Sequence, residues 1–111
     1  MIWFLLGCAT APDPCVAMCE AAADLYGGCL STWGADWEAA AYADEDDFLD
    51  ACATWSWEQR QLEVEAGQEG ATDAVCEERA ALFAAEEATC DDYTTIDWNT
   101  PTWDVDSRGS P

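Results

Sequence analysis

The chain has 111 residues and a formal net charge of −21, from 24 acidic residues set against three Arg and no Lys. A chain of that length fits one domain and buries only about 60 to 70% of its unfolded surface, so its core is modest. The charge excludes nucleic acid as a direct partner, and the absence of His removes the usual general base together with the Ser-His and Cys-His nucleophile pairs.

Charge so far from zero keeps a chain soluble but pushes its compact state apart. The seven cysteines, Cys8, Cys15, Cys19, Cys29, Cys52, Cys76 and Cys90, are the expected compensation. They contain no C-x2-C pair and have no His beside them, so they do not read as a zinc site. Six of them read as three disulfides, each stabilising by about 2 to 4 kcal/mol through the unfolded state. Such bonds imply an oxidising compartment, and one cysteine is left over.

The odd cysteine lies near the start of the chain. Leu5-Leu6-Gly7-Cys8 resembles the cleavage and acylation motif of bacterial lipoproteins. The resemblance implies that residues 1–7 are a short signal-like leader, that Cys8 becomes the lipidated first residue, and that residues 8–12 form a linker. Gly7 would admit the signal peptidase, and the apolar stretch would be the h-region. Ala9, rather than Asp, after the cysteine resembles an outer-membrane address. The leader is short and has no basic n-region, which leaves room for a start upstream of Met1. The alternative is an apolar N-terminus packed on the domain, with Cys8 a free thiol. No segment has the roughly 20 apolar residues that a span needs, so the expected membrane contact is the lipid anchor alone.

Residues 13–103 read as the folded domain, an all-α three-helix bundle stapled by three disulfides. Asp13 can cap a first helix with Pro14 at its first position, and Cys15, Met18, Cys19, Ala22, Leu25 and Tyr26 recur on one face. Gly27-Gly28 is expected to stop it. Trp33 and Trp37 could share a face of a short helix through Ala41. Asp44-Glu45-Asp46-Asp47 places negative charge at the start of a second helix, with Phe48, Cys52, Trp55 and Leu62 as its buried stripe and Gly67 as its end. Thr72 and Asp73 open a third, in which Cys76, Ala80, Phe83 and Cys90 face one way. Gln59 and Glu87 interrupt these two stripes. From Asp91 the chain reads as irregular, with Tyr93, Ile96, Trp98 and Trp103 folding back on the bundle and residues 104–111 frayed.

The segment Asp50-Ala51-Cys52-Ala53-Thr54-Trp55-Ser56-Trp57-Glu58, with Ile96-Asp97-Trp98-Asn99, is similar to parts of small uncharacterised cysteine-rich proteins exported by some Gram-negative soil and marine bacteria. That resemblance implies export and no particular activity.

Helix geometry narrows the disulfide map. On a continuous third helix Cys76 and Cys90 would lie about 21 Å apart, whereas a disulfide holds its Cα atoms within about 7 Å. Setting the first helix antiparallel to the third matches Cys15 to Cys90 and Cys29 to Cys76, and leaves Cys19 level with Cys52. In that arrangement residues 30–43 run back along the bundle.

The acidic run offers Asp44, Asp46, Asp47 and Asp50 as a weak calcium candidate, but Phe48 and Leu49 break the EF-hand pattern and a helix N-terminus explains the same residues. Asp97, Asn99, Asp104 and Asp106 form a weaker one. No cofactor, metal or catalytic residue is assigned. Trp33, Trp37, Trp55 and Trp98 are expected to fill the core, leaving Trp57 and Trp103 to engage a cationic or sugar partner. The expected role is a non-enzymatic surface module, lipid-anchored or secreted, that binds a protein or glycan. The alternatives are a structural envelope protein adapted to high salt and a weak calcium binder.

Overall fold

Asp13 and Pro14 start the first helix as their chemistry requires. The Asp13 carboxylate accepts from the Cys15 amide at 2.8 Å, and Pro14 takes the position where no amide hydrogen is missed. The computed structural model describes residues 12–103, and these form four helices and no strand: α1 (Pro14–Thr32), α2 (Glu45–Glu65), α3 (Ala71–Ala84) and the short α4 (Cys90–Thr94). The first three pack together. The leader, Cys8 and all but the last residue of the linker, together with the 104–111 tail, lie outside the described residues.

Two helix limits differ from expectation. Gly27-Gly28 does not stop α1, which runs on to Thr32. A Cβ on Gly27 would come within 3.2 Å of the Trp37 ring, so this glycine admits an indole against the helix backbone. Beyond the pair, buried Cys29 and Leu30 keep the last turn attached to the core. The third helix, by contrast, is shorter than its apolar spacing suggests. Ala85 is extended, with ψ at 146°, and Cys90 opens the separate α4.

Helix α3 also begins one residue earlier, at Ala71 with Gly70 as its N-cap, rather than at Thr72 or Asp73. With a φ of 93°, Gly70 occupies a conformation that L side chains rarely adopt, and it has no side chain to cap with. Glu63 of α2 supplies the cap instead. Its carboxylate accepts from the Thr72 amide at 2.7 Å and from the Gly70 amide at 3.3 Å. A buried acidic side chain is thus satisfied by the free amides and positive dipole end of a neighbouring helix.

The disulfides are Cys15–Cys76, Cys19–Cys52 and Cys29–Cys90, with Cα separations of 4.9, 5.9 and 5.9 Å. Cys19–Cys52 is the expected bond, whereas Cys15–Cys90 and Cys29–Cys76 are replaced by the opposite pairing. The reason is helix direction. Cys15 and Cys76 join the first halves of α1 and α3, and Cys29 near the end of α1 is joined to Cys90 at the start of α4, beyond the end of α3, so α1 and α3 run parallel. Residues 33–43 do not run back along the bundle, nor do they form a helix. They turn at the end of α1, where Trp37 meets Tyr26 edge-on at 5.7 Å and lies 5.0 Å from Phe48 at the start of α2. An up-down-up chain follows, and it leaves α1 and α3 no choice but to be parallel.

The core centres on Cys15, Met18, Cys19, Ala22, Ala23, Phe48, Cys76 and Phe83, with Tyr26, Trp37, Trp55, Tyr93 and Trp98 packed against it. Trp33 is a correction. It sits just past the last turn of α1 and is 53% exposed. Leu62 is another, being 45% exposed, because the buried line of α2 drifts through Ser56, Gln59 and Glu63 as the helix crosses toward the start of α3. Gln59 therefore belongs to the buried stripe instead of interrupting it.

The segment after α4 folds back on the bundle as expected. The Trp55 indole N–H donates to the Trp98 carbonyl at 2.8 Å. Further along, the Thr102 amide donates to the Gln59 side-chain oxygen, and the Thr102 and Thr72 hydroxyls bond at 3.0 Å in a fully buried setting. Each polar group taken from water here meets a partner.

Candidate functional site

Packing the returning segment over α2 leaves an opening between them. Tyr42, Phe48, Trp55, Tyr93 and Trp98 wall a cavity of about 220 Å³, with Ala22 and Cys52 in its lining and exposed Ala51 at its edge. The rings do not stack into a sheet. Trp55 and Trp98 meet at 86° with centroids 5.0 Å apart, and Tyr42 and Phe48 at 84° and 5.2 Å. Tyr93 leans at 43° to Trp98 and at 58° to Phe48. Rings inclined to one another in this way wall the space on several sides, as in a box.

The electrostatics of these walls are set by burial and by acid. Burial holds the Tyr93 phenol well above its ordinary range, with smaller contributions from Tyr42 and Tyr26. The Tyr42 phenol is also raised, first by burial and then by Tyr26 and the Asp47 charge. Both rings therefore stay neutral at physiological pH. Beside the cavity, the Arg79 guanidinium lies 4.9 Å from the Trp98 ring centroid and 5.9 Å from that of Trp55.

A second apolar surface lies on the other side of α2. Val16, Cys19, Leu49, Ala53 and Ser56 line a groove between α1 and α2. Trp57, one turn beyond Ala53 on the helix, is 62% exposed, and Val64 two turns further along is 58% exposed. Of the two tryptophans expected at the surface, Trp57 is fully presented, whereas Trp103 is half-buried next to the buried Thr102.

The acidic candidates do not converge. Asp44 accepts from the Asp47 amide and Asp47 accepts in return from the Ala43 amide, both at 2.9 Å, so these two carboxylates serve as a reciprocal cap for α2. Asp46 and Asp50 are exposed on the same helix start. Asp97 is engaged locally, accepting from the Thr100 hydroxyl and the Asn99 amide, which hold its carboxyl below the usual range. Asn99 shares that turn, and Asp104 and Asp106 lie outside the described residues. Among the described residues, the one cluster with metal-ligand spacing is Asp13, Cys15 and Asp73. Cys15 is in a disulfide and Arg60 bridges both aspartates at 2.7 Å, so that cluster is an ion pair and not a cation site.

The features that the sequence reading missed are Tyr42, Tyr93 and Arg79. Tyr42 sits in a loop with no periodicity, and Tyr93 begins a segment read as irregular. Arg79 is the one basic residue of α3, and its spacing carries no sign that it stacks on rings.

The described chain is thus a disulfide-stapled all-helical domain, a kind of protein whose framework belongs to an oxidising, extracellular-type compartment. None of its described helices is long and apolar enough to cross a membrane. No protein-family model, curated protein or solved structure matches the chain at a significant level.

Proposed function

We propose that this protein is a non-enzymatic, acidic binding module of the cell exterior, held at the outer membrane by a lipid on Cys8 or released as a secreted domain, and that it engages a protein or glycan through aromatic side chains. The observation that supports this reading is Trp57, an indole 62% exposed on a helix that a disulfide locks to its neighbour. Burying a large aromatic is favourable, and a rigid one loses little entropy when a partner covers it. Aromatic anchors of this kind dominate interfaces.

The test is a glycan array together with an array of cell-envelope proteins, probed with the native chain and with Trp57→Ser. Partners that bind the native chain and lose most of their signal with Trp57→Ser, at unchanged thermal stability, support the module. Signals that ignore the substitution, or no signal at all, count against it. Anchoring is checked separately by detergent partitioning. The native chain should enter the detergent phase and Cys8→Ser the aqueous phase, and equal partitioning would return Cys8 to an ordinary thiol.

A second reading rests on the acidic surface. Arg60 pairs with Asp13 and Asp73, and with three Arg against 24 acidic residues most carboxylates of the chain have no cation to pair with. A structural envelope protein adapted to high salt would show a melting temperature that climbs steeply with NaCl beyond simple screening, and a flat response would exclude it.

A further inference from the structure

The cavity between α2 and the returning segment is too small for an oligosaccharide. At about 220 Å³ it falls below the roughly 300 to 1,000 Å³ of drug-sized ligand pockets, so it accepts one compact group. Its walls are the aromatic side chains of Tyr42, Phe48, Trp55, Tyr93 and Trp98, inclined to one another. Its lining contains no charged side chain. The phenols of Tyr42 and Tyr93 are its hydroxyl groups, the Arg79 charge lies outside the lining but within 6 Å of the Trp55 and Trp98 rings, and a small anion would still have to approach a chain of net charge −21.

We propose that this aromatic box is a binding site for a small methylated ammonium ion, such as a trimethylammonium head group. Three observations carry the assignment. The negative faces of aromatic rings attract a cation within about 6 Å of their centroids, and since Arg79 already takes that place on Trp55 and Trp98, the rings left to a ligand cation are those of Tyr42, Phe48 and Tyr93. Methyl groups on the nitrogen match an apolar wall, because such a cation has no N–H that must be satisfied by a partner the pocket lacks. The surrounding field has the right sign. The Asp47 charge reaches the rim strongly enough to help raise the Tyr42 phenol, and the same field stabilises a cation held beside that ring. A free cation is favoured over the same head group carrying a phosphate, since the phosphate would meet the acidic surface.

The site deepens the binding-module reading but uses the opposite side of α2 from Trp57, so the two can fail independently. The experiment is isothermal titration calorimetry of the full chain at low ionic strength with choline, with its neutral isostere 3,3-dimethyl-1-butanol, and with phosphocholine. Choline should bind about tenfold more tightly than the isostere, and phosphocholine should be the weaker of the two head groups. Equal affinity for choline and the isostere would show an apolar pocket indifferent to charge and overturn the proposal, while tighter phosphocholine binding would overturn the preference for a free cation. Ala51→Met places a helix-favouring side chain at an exposed edge position, which keeps the fold and the net charge while filling the opening. It should weaken choline by about tenfold at unchanged melting temperature. Choline heat that survives Ala51→Met would be the counterion atmosphere of an acidic chain and would also overturn the site. Trp57→Ser should leave choline binding as it is, so loss of partner binding in that variant alone would distinguish the two surfaces.

Discussion

Where α1 and α3 begin and α2 stops, the polar side chains of Gln59, Glu63 and Thr72 are buried, whereas at the opposite end Tyr26, Trp37, Phe48 and Tyr93 meet ring against ring. The difference follows from what each end must satisfy. Two helix N-termini converge at the first end, and their free amides need acceptors wherever water is excluded. Asp13 and Glu63 are those acceptors, Gln59 accepts from the Thr102 amide of the returning segment, and Arg60 ties Asp13 to Asp73 across the outside. At the second end the chain instead closes through loops around Trp37 and Tyr93, and bulk from aromatic rings fills space that a small domain cannot fill with more helix.

Breaking the aromatic end should cost the most. Phe48 is 3% exposed and lies against Tyr26, Trp37, Tyr42 and Tyr93, so Phe48→Ala should lower unfolding free energy by about 3 to 5 kcal/mol in urea titrations with the disulfides intact. A loss under 1 kcal/mol would show that the rings pack loosely.

The polar end predicts a smaller loss with a pH signature. Glu63→Gln removes a charged acceptor from two amides and should cost about 1.5 to 3 kcal/mol at neutral pH. Burial acts to raise the Glu63 carboxyl, but hydrogen bonds from Thr72 and Gly70 outweigh it and hold the group below its ordinary 4.5. A depressed carboxyl contributes stability above its unfolded value and loses it as pH falls through the folded value. The gap between native and Glu63→Gln should therefore be full at pH 7 and should close as pH drops below 4.5. A gap that is constant with pH would mean that shape, not charge, makes the cap.

How much of this was legible in the sequence depends on how local the cause is. Asp13, Pro14 and Asp44 act on amides two or three residues away, and their helix starts appear where the chain alone places them. Gly27-Gly28 reads as a stop because glycine usually is one. The contact that overrides it comes from Trp37, ten residues on, in a stretch that the spacing of Trp33 and Trp37 made look like a short helix. The glycine pair supplies the smallest prediction. Gly28 has open space where a Cβ would go, so Gly28→Ala should stabilise by about 0.5 to 1 kcal/mol, whereas Gly27→Ala should destabilise by about 1 kcal/mol through its clash with Trp37. Equal effects at both positions would remove Trp37 from the explanation.

The disulfide pairing was beyond the sequence for a related reason. Helix rise fixes distances within an element but says nothing of whether a connection turns back or runs the length of the bundle. The candidate site was less legible still, since three of its five rings, Tyr42, Tyr93 and Trp98, come from stretches without regular periodicity. Trp55 and Trp98 were placed in the core, and only the fold shows that they border an opening.

The parallel pairing of α1 and α3 underlies the whole account, because it brings α2 and the returning segment together around the aromatic box. Cleavage at Met18 with cyanogen bromide separates Cys15 from Cys19, and trypsin then cuts after Arg60, Arg79 and Arg108. Applied to Cys8→Ser under non-reducing conditions, the two cuts yield segments 2–18, 19–60, 61–79 and 80–108. Mass spectrometry should find 2–18 joined to 61–79, and 19–60 joined to 80–108. Finding 2–18 joined to 80–108, with 19–60 joined to 61–79, would mean that α1 and α3 are antiparallel and would contradict the fold described.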